Sequence, residues 1–288
     1  MKAIVLADLH LRSTIPSCIE ATQTEWIDTQ YKALDKVANY AIEKQVTDVL
    51  IGGDIFHSEQ TTSFQIINLF QEFCKNLEAV GITVWILAGN HDLPQHSSEN
   101  INKSAIGVIL NSQSVYNMKY HPLVGCGNFD EDTPNEEIIF KHVLCIPKNQ
   151  VPPFIECETP ETLLNKYDKA KWIFTGDYHK SFSYIDNHRF VLNSGCLTKQ
   201  AADFENYETG CWYVDTDDES FEWCPIDISQ RFYRNAEKII DKDIEAFANS
   251  VKKESITLDY IQSVRNEIVN HEKPIQDKVN SWIDEIGQ

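Results

Sequence analysis

The sequence lacks the features that place a chain in a membrane or outside the cell. No run in its 288 residues approaches the roughly eighteen apolar residues that a membrane-spanning helix needs. The N-terminus has one lysine before a short apolar strand, which is too short for a secretory leader. The eight cysteines are scattered with no C-x-x-C pair, so neither a disulfide framework nor a thiolate zinc site is expected. We therefore expect a cytoplasmic protein.

Basic residues are also few, with 25 Lys and Arg against 44 Asp and Glu, and the formal net charge is −19. A stand-alone nucleic-acid-binding protein usually has a basic surface that displaces counterions from phosphates. If the substrate were DNA, we would expect a partner to supply much of the binding. Repeats and low-complexity stretches are absent as well, while 42% hydrophobic residues describe an ordinary globular core.

The order of elements predicts the fold class. A β-α-β-α-β-α pattern occupies the first 111 residues, and its crossovers predict a parallel sheet. Short strands dominate afterwards, and two hairpins predict an antiparallel half. The predicted helices cover residues 29–45, 63–80, 99–110 and 161–167, and the hairpins cover 182–193 and 211–225. We expect an α/β (α+β) fold in which a two-sheet β-sandwich is flanked by helices.

The chain is expected to divide near residue 234. Residues 1–234 form the predicted catalytic domain, and residues 235–288 form a predicted helical C-terminal tail. Two amphipathic stripes support the tail, one beginning at Ile240 and one that follows Pro274. The tail either docks on the catalytic domain or presents its apolar face to a partner.

Five segments each place a potential metal ligand directly after an apolar strand. They are Asp8-Leu9-His10, Gly53-Asp54, Gly89-Asn90-His91-Asp92, Lys141-His142 and Gly176-Asp177-Tyr178-His179. For the fourth, a strand over 143–146 is an alternative, but it ends in Pro147, which has no ligating side chain. Taken singly each segment is weak evidence, since an Asp after a strand is often a helix cap. If the strand ends meet at one rim, the set predicts a site for two divalent cations.

This pattern resembles the calcineurin-like metallophosphoesterase superfamily, over roughly residues 1–215. The resemblance implies two divalent metal ions that share a bridging Asp54. By the family's motifs, the ligands of the first ion would be Asp8, His10, Asp54 and His179, and those of the second Asp54, Asn90, His142 and Asp177. Asp177 stands where the family has the first His of Gly-His-x-His. An added carboxylate favours Mn²⁺ over zinc, with Mg²⁺ as an alternative.

The residue three positions after Asp54 distinguishes branches of the superfamily. Phosphoprotein phosphatases have Asp there, whereas His57 in Gly-Asp-Ile-Phe-His is similar to the SbcD-like DNA-repair nucleases. The loop over 191–200 is similar, in part, to a loop that follows the last metal ligand in those nucleases. The resemblance implies an exo- or endonuclease subunit of a recombination or repair complex, with DNA as substrate, an SMC-type ATPase subunit as partner, and a homodimer as one form of assembly.

Two-metal chemistry then implies metal-activated hydroxide attack on phosphorus. We assign leaving-group protonation or transition-state stabilisation to His91 and contact with the phosphate to His57. Asp92 would either orient His91 or cap a helix. In the loop after His10, Arg12 and Trp26 could contact a nucleic acid, although a solvated charge and packing are the favoured interpretations.

Two other functions compete with DNA hydrolysis. A phosphatase or nucleotide phosphodiesterase would act on small substrates, which the acidic charge favours. A non-catalytic binding protein would keep the fold without the activity, but the nearly complete ligand set argues against it. The remaining histidines are interpreted as surface or loop residues, namely His96, His121, His188 and His271.

Overall fold

The computed structural model describes residues 1–58, 62–112, 114–128, 131–153 and 155–233 of the chain. The chain divides into two compact units, Met1–Phe232 and Tyr233–Gln288. The predicted helical tail, residues 235–288, and His271 within it lie outside the described residues. The tail and the boundary at residue 234 stay predictions.

The described residues form eleven strands and four α-helices. The strands are β1 (Lys2–Leu6), β2 (Asp48–Gly52), β3 (Thr83–Leu87), β4 (Tyr116–Asn117), β5 (Val124–Asn128), β6 (Ile138–His142), β7 (Trp172–Gly176), β8 (Phe182–Asp186), β9 (Arg189–Asn193), β10 (Gly210–Asp215) and β11 (Ser220–Pro225). The helices are α1 (Gln23–Glu43), α2 (Phe64–Ala79), α3 (Ala105–Leu110) and α4 (Pro160–Lys166). None of these helices is long and apolar enough to cross a membrane.

The strands form two sheets, as predicted. The first has the order β11-β10-β1-β2-β3-β4, in which β1 to β4 are parallel and β10 and β11 are antiparallel. The second has the order β5-β6-β7-β9-β8. The expectation of an antiparallel second half was wrong, because β5, β6, β7 and β9 pair in parallel and only β8 is antiparallel in that sheet. The closing hairpin, β10 and β11, extends the first sheet instead.

Strand periodicity explains why the two sheets pack together. In β1, Ala3 and Val5 face the second sheet, whereas Ile4 and Leu6 face the core beneath the helices. The layer between the sheets contains large aromatic side chains of the second sheet, among them Phe140. Helix α4 covers the outer face of the second sheet with Leu163. The result is the predicted sandwich with helices on its outer faces.

Local signals account for the differences in element boundaries. Helix α1 begins six residues before the predicted start, because Thr22 and Glu25 form a capping box ahead of the apolar stripe. The predicted helix over 99–110 is a 3₁₀ segment, Ser98–Lys103, followed by α3. The strand that precedes His142 was predicted correctly, although His142 is its last residue and does not follow it.

The layer between the sheets should contribute strongly to stability. Phe140 is fully buried there, so we expect Phe140→Ala to lower the free energy of unfolding by about 3–5 kcal/mol. Thermal and urea denaturation would measure the change. Phe64→Ala, at a position that is 85% exposed, is the matched control and should change stability by less than about 0.5 kcal/mol. Equal effects of the two substitutions would contradict this packing.

Candidate metal centre and cleft

The structure brings five strand ends to one rim. The segments after β1, β2 and β3 come from the first sheet, while the end of β6 and the segment after β7 come from the second. Parallel strands end at the same edge of a sheet, so the side chains that follow them meet there. The predicted metal ligands on these segments are Asp8, His10, Asp54, Asn90, His142, Asp177 and His179.

Backbone hydrogen bonds continue between the first two segments beyond the strands. The amide of Asp8 donates to the carbonyl of Gly53 at 3.0 Å, and the amide of His10 donates to that of Asp54 at 2.9 Å. Left-handed backbone conformations occur at Asp8 (φ 53°), His10 (φ 43°), Asp54 (φ 49°) and Asp177 (φ 83°). Such conformations are uncommon outside glycine and persist where the surroundings hold them. The fold therefore imposes the side-chain directions at this rim.

The imidazole of His142, at the end of β6, lies against the end of β2 in the other sheet. Its Nδ1 lies 2.7 Å from the carbonyl oxygen of Gly52, so Nε2 is left to face the rim. A Cβ at Gly53 or Gly176 would come within 2.5 or 2.7 Å of the His142 Nδ1. These positions therefore require glycine so that the ring can enter from the second sheet.

The carboxylate of Asp54 lies between histidines of the two sheets. Its Oδ1 lies 3.5 Å from His142 Nε2 and accepts a hydrogen bond from the His91 amide at 2.9 Å. Its Oδ2 lies 3.7 Å from His10 Nε2. Each oxygen thus faces a different histidine, which is the arrangement that a bridging carboxylate requires.

Three overlapping groups of potential ligand atoms occur in the described part of the chain, each with its atoms within 4.8 Å of one another. The groups are Asp8–His10–His179, Asp8–Asp54–His142 and His10–His57–His91. The first two share Asp8 and correspond to neighbouring positions, with His10 Nε2 and His179 Nε2 3.0 Å apart. Five of the seven predicted ligands therefore converge.

The other two predicted ligands lie beside this cluster. Asn90 Oδ1 lies 3.1 Å from His142 Nε2, and in the alternative amide orientation its nitrogen donates to both Asp54 oxygens at 3.2 Å. The backbone amide of Asp177 donates to both oxygens of Asp8 at 3.0 Å. The carboxylate of Asp177 belongs to none of the three groups, so its role as a ligand stays a prediction.

Burial and mutual charge shift the pKa values of these groups strongly. Burial raises the pKa of Asp8 to about 8. Burial would lower the pKa of His142, but the hydrogen bond and charge of Asp54 outweigh it and raise that pKa to about 10. Burial would raise the pKa of Asp54, but His142 holds it well below the ordinary range. Asp8 and His142 therefore hold protons more tightly than free carboxyl and imidazole groups do, and a cation would compete with those protons.

The carbonyl of His57, and not Asp92, orients the ring of His91. His91 Nδ1 lies 2.9 Å from the His57 carbonyl oxygen, which leaves Nε2 unconstrained by that contact. The buried carboxylate of Asp92 instead accepts hydrogen bonds from the backbone amides of Ile55, Phe56 and Gly89, at 3.1, 2.9 and 2.9 Å. Asp92 thus caps the 3₁₀ turn Asn90–Asp92, which was the alternative to an orienting role, and its carboxylate ties together the segments that follow β2 and β3.

A cleft of about 470 Å³ borders the cluster. Among the described residues, its wall contains four histidines, one arginine and no carboxylate. The lining residues are His10, Arg12, Ile15, Pro16, Ser17, His57, His91, His179, Cys196, Gln200, Ala201 and Phe204. In a chain with a formal net charge of −19, a wall without carboxylates suits an anionic ligand.

The comparisons with known proteins agree with this geometry. The chain matches the model of calcineurin-like phosphoesterases over residues 1–188. The chain belongs to the calcineurin-like phosphoesterase family. It is thereby a metal-dependent phosphoesterase, and its ligand groups are suited to divalent ions.

Two individual proteins show narrower similarities. The DNA double-strand break repair protein Mre11 of Nanoarchaeum equitans (strain Kin4-M) is 33% identical over 87 residues, which is 30% of this chain and 22% of that protein. The chain therefore spans about a fifth of the length of this relative. A solved structure described as a novel archaeal phosphodiesterase is 13% identical, and the similarity covers 78% of this chain and 99% of that one, with a TM-score of 0.41.

The residues of this phosphoesterase fit divalent cations. Carboxylate oxygens and imidazole nitrogens are the donors that such ions prefer. The buried Nδ1 of His10 has no hydrogen-bond partner among the described residues, and the two oxygens of Asp54 face different histidines. A pair of neighbouring divalent ions would satisfy this arrangement.

The structure describes the side chains of two of the remaining histidines, His121 and His188. The ring of His188, in the turn of the β8–β9 hairpin, is exposed, as predicted. His121 lies in the loop before β5, which agrees with its interpretation as a surface or loop residue, but its side chain is only 3% exposed and packs edge-on against Trp85 near Asp48. The side chain of His96 is not among those that the structure describes.

Sequence analysis missed the residues that support the site. Gln200 donates to the carbonyls of Leu9 and His10 at 3.3 and 3.2 Å. The hydroxyl of Ser194 accepts a hydrogen bond from the amide of Ala7 at 2.9 Å. Gln30 is a polar residue on the buried stripe of α1, four positions after Trp26, and this break in an apolar face was the signal that could have identified it.

We expect divalent cations to stabilise the protein through Asp54. With Mn²⁺ at 100 times its dissociation constant, the gain is about 2.7 kcal/mol, or roughly 5–10 °C in Tm. Thermal melts of chelator-treated protein with and without Mn²⁺ measure the shift. Asp54→Asn should abolish it, and the exposed Asp35→Asn should retain it. An equal Mn²⁺-induced rise in Tm for Asp54→Asn would show that Asp54 is not a metal ligand.

Asp92→Ala should lower stability, because three buried amides lose their acceptor. We expect a loss of about 2–4 kcal/mol in urea denaturation. A variant with normal stability and impaired activity would instead restore the orienting role for Asp92.

Proposed function

We propose that this phosphoesterase hydrolyses phosphodiester bonds in DNA and serves as the nuclease subunit of a recombination or repair complex. The observation that carries the proposal is the cleft beside the metal-ligand cluster, whose wall, in the part of the chain that the structure describes, has imidazole and guanidinium groups and no carboxylate. Because the rest of the chain is strongly acidic, this local composition selects for a phosphate-bearing substrate.

The cations would be held by Asp8, His10, Asp54 and His179 at one position and by Asp54, Asn90, His142 and Asp177 at the other. We propose Mn²⁺ for both, with Mg²⁺ as the alternative, because carboxylates outnumber the usual family pattern. Bound divalent ions polarise phosphate oxygens and lower the pKa of water. Proton donation and the positioning of the substrate are assigned to side chains of the protein.

His91 is the proposed general acid. Its Nδ1 donates to the carbonyl of His57, so the Nε2 of the protonated ring is the atom that can donate to the leaving oxygen and leave the ring neutral. The contact of its amide with Asp54 fixes the position of His91 relative to the metal centre. His57 lines the same cleft, and we propose that it helps to position the substrate phosphates.

Two observations support DNA as the substrate. The region of similarity to Mre11, whose name describes DNA double-strand break repair, covers 30% of the chain. His57 also stands at the position that separates nucleases from phosphoprotein phosphatases in the resemblance described above. The strong acidity of the chain supports the proposal that a basic or DNA-bound partner, such as an SMC-type ATPase subunit, contributes to binding, and a homodimer would provide a second copy of the cleft.

Activity should depend on His91 and on manganese. We expect single- or double-stranded DNA to be hydrolysed with Mn²⁺, and His91→Asn to lower kcat by about 10²- to 10⁴-fold through loss of the acid. His188→Asn, in an exposed turn, is the matched control and should retain full activity. Assays of phosphomonoesters and cyclic nucleotides run in parallel test the rival function. Turnover of those small substrates without DNA hydrolysis would overturn the DNA proposal.

A further inference from the structure

The backbone of Arg12 is held firmly at the edge of the cleft. The buried side chain of Gln30 accepts from the Arg12 amide and donates to the Arg12 carbonyl, both at 2.9 Å. The indole of Trp26 donates to the same carbonyl at 3.0 Å. Trp26 is fully buried, so it packs, as favoured from the sequence, and cannot stack on a base. These contacts direct the chain so that Arg12 lines the cleft.

Within the described ranges, the side chain of Arg12 contacts an imidazole and not a carboxylate. Its Nη1 lies 2.8 Å from His57 Nε2. A guanidinium group only donates hydrogen bonds, so His57 Nε2 must be the acceptor, and the proton of the neutral ring resides on Nδ1. This geometry differs from the solvated charge that the sequence favoured, because Arg12 is partly buried.

Two donors in this pair have no acceptor among the described residues. They are the buried Nε of Arg12 and the buried Nδ1 of His57. Arg12 also forms no ion pair within the described part of the chain, whereas Arg231 pairs with Glu25. In a chain with 44 acidic residues, a partly buried arginine that faces imidazoles calls for a functional explanation.

We infer that Arg12 and His57 form an anion subsite that binds a second phosphate of the substrate, next to the phosphate that is hydrolysed. Asp54 accepts from the amide of His91, the ring of His91 stacks on that of His57 at a centroid distance of 5.8 Å, and His57 contacts the guanidinium of Arg12. In this series of contacts one imidazole, that of His57, separates Arg12 from His91. This position suits a neighbouring phosphate of a polynucleotide, and guanidinium is the side chain that binds phosphate best in a fork geometry.

The subsite rests on the proposed phosphodiesterase function and specifies its substrate. A chain with several phosphates would contact both the metal centre and Arg12, whereas a diester with one phosphate would contact only the metal centre. The enzyme should therefore prefer oligonucleotides to small diesters, and Arg12 should determine the size of that preference.

The test compares kcat/KM for a short oligothymidylate with kcat/KM for bis(p-nitrophenyl) phosphate, in the full-length protein with Mn²⁺. We expect Arg12→Gln to lower the oligonucleotide-to-diester ratio by about tenfold or more, as loss of a charge-assisted contact implies. Arg12→Lys should restore part of the ratio, since it keeps the charge and loses the fork. Arg231→Gln, the same change at an exposed ion pair, is the control and should leave the ratio unchanged. An unchanged ratio in Arg12→Gln, or equal losses on both substrates, would overturn the subsite.

A binding measurement separates this inference from the proposed function. Inorganic phosphate, added to the full-length protein in chelator, should raise the Tm of the wild type and of Arg231→Gln more than that of Arg12→Gln. If the wild type hydrolyses no DNA but shows this Arg12-dependent shift, the DNA proposal fails and the anion subsite stands. If all three proteins respond equally to phosphate, the subsite fails irrespective of the substrate.

Discussion

The site depends on the close approach of two sheets at their carboxyl edges. Gly52 ends β2 without a side chain, so the ring of Phe140 from β6 occupies the space that a Cβ would fill. Two residues after Phe140 in β6, the Nδ1 of His142 lies at hydrogen-bond distance, 2.7 Å, from the carbonyl oxygen of Gly52. This contact orients the imidazole and places a residue of the second sheet beside Asp54 of the first. Without it, the ligands of the second sheet would not lie beside those of the first.

Electrostatics at the rim follow from that approach. Buried carboxylates close together are unfavourable unless cations or protons neutralise them. The left-handed backbone at Asp8, His10 and Asp54 and the contact of Asp92 with three backbone amides keep these groups from moving apart. Repulsion between these carboxylates would therefore be reduced by bound divalent cations. A chance cluster of acidic side chains would instead move apart.

The charge of the molecule is divided between its surface and its cleft. The chain as a whole is strongly acidic, yet the cleft wall combines Arg12 with four histidines. Imidazoles whose pKa is lowered, such as His57 at about 4 through burial and the neighbouring Arg12, are neutral at physiological pH and act through hydrogen bonds. Arg12 supplies a permanent positive charge, which is the basis of the phosphate subsite proposed above.

Strand periodicity and the polar residues after each apolar run were sufficient to predict the sandwich, the first parallel half and the residues that gather at the rim. These properties are local, because a strand's pattern and its terminal residue lie within a few positions of each other. The parallel pairing of β5, β6, β7 and β9, the contact of Asp92 with backbone amides and the contact of the partly buried Arg12 with His57 depend on segments far apart in sequence. Only the tertiary structure decided them, because hydrogen-bond partners across two sheets are chosen by how the sheets pack and leave no periodic trace in the chain.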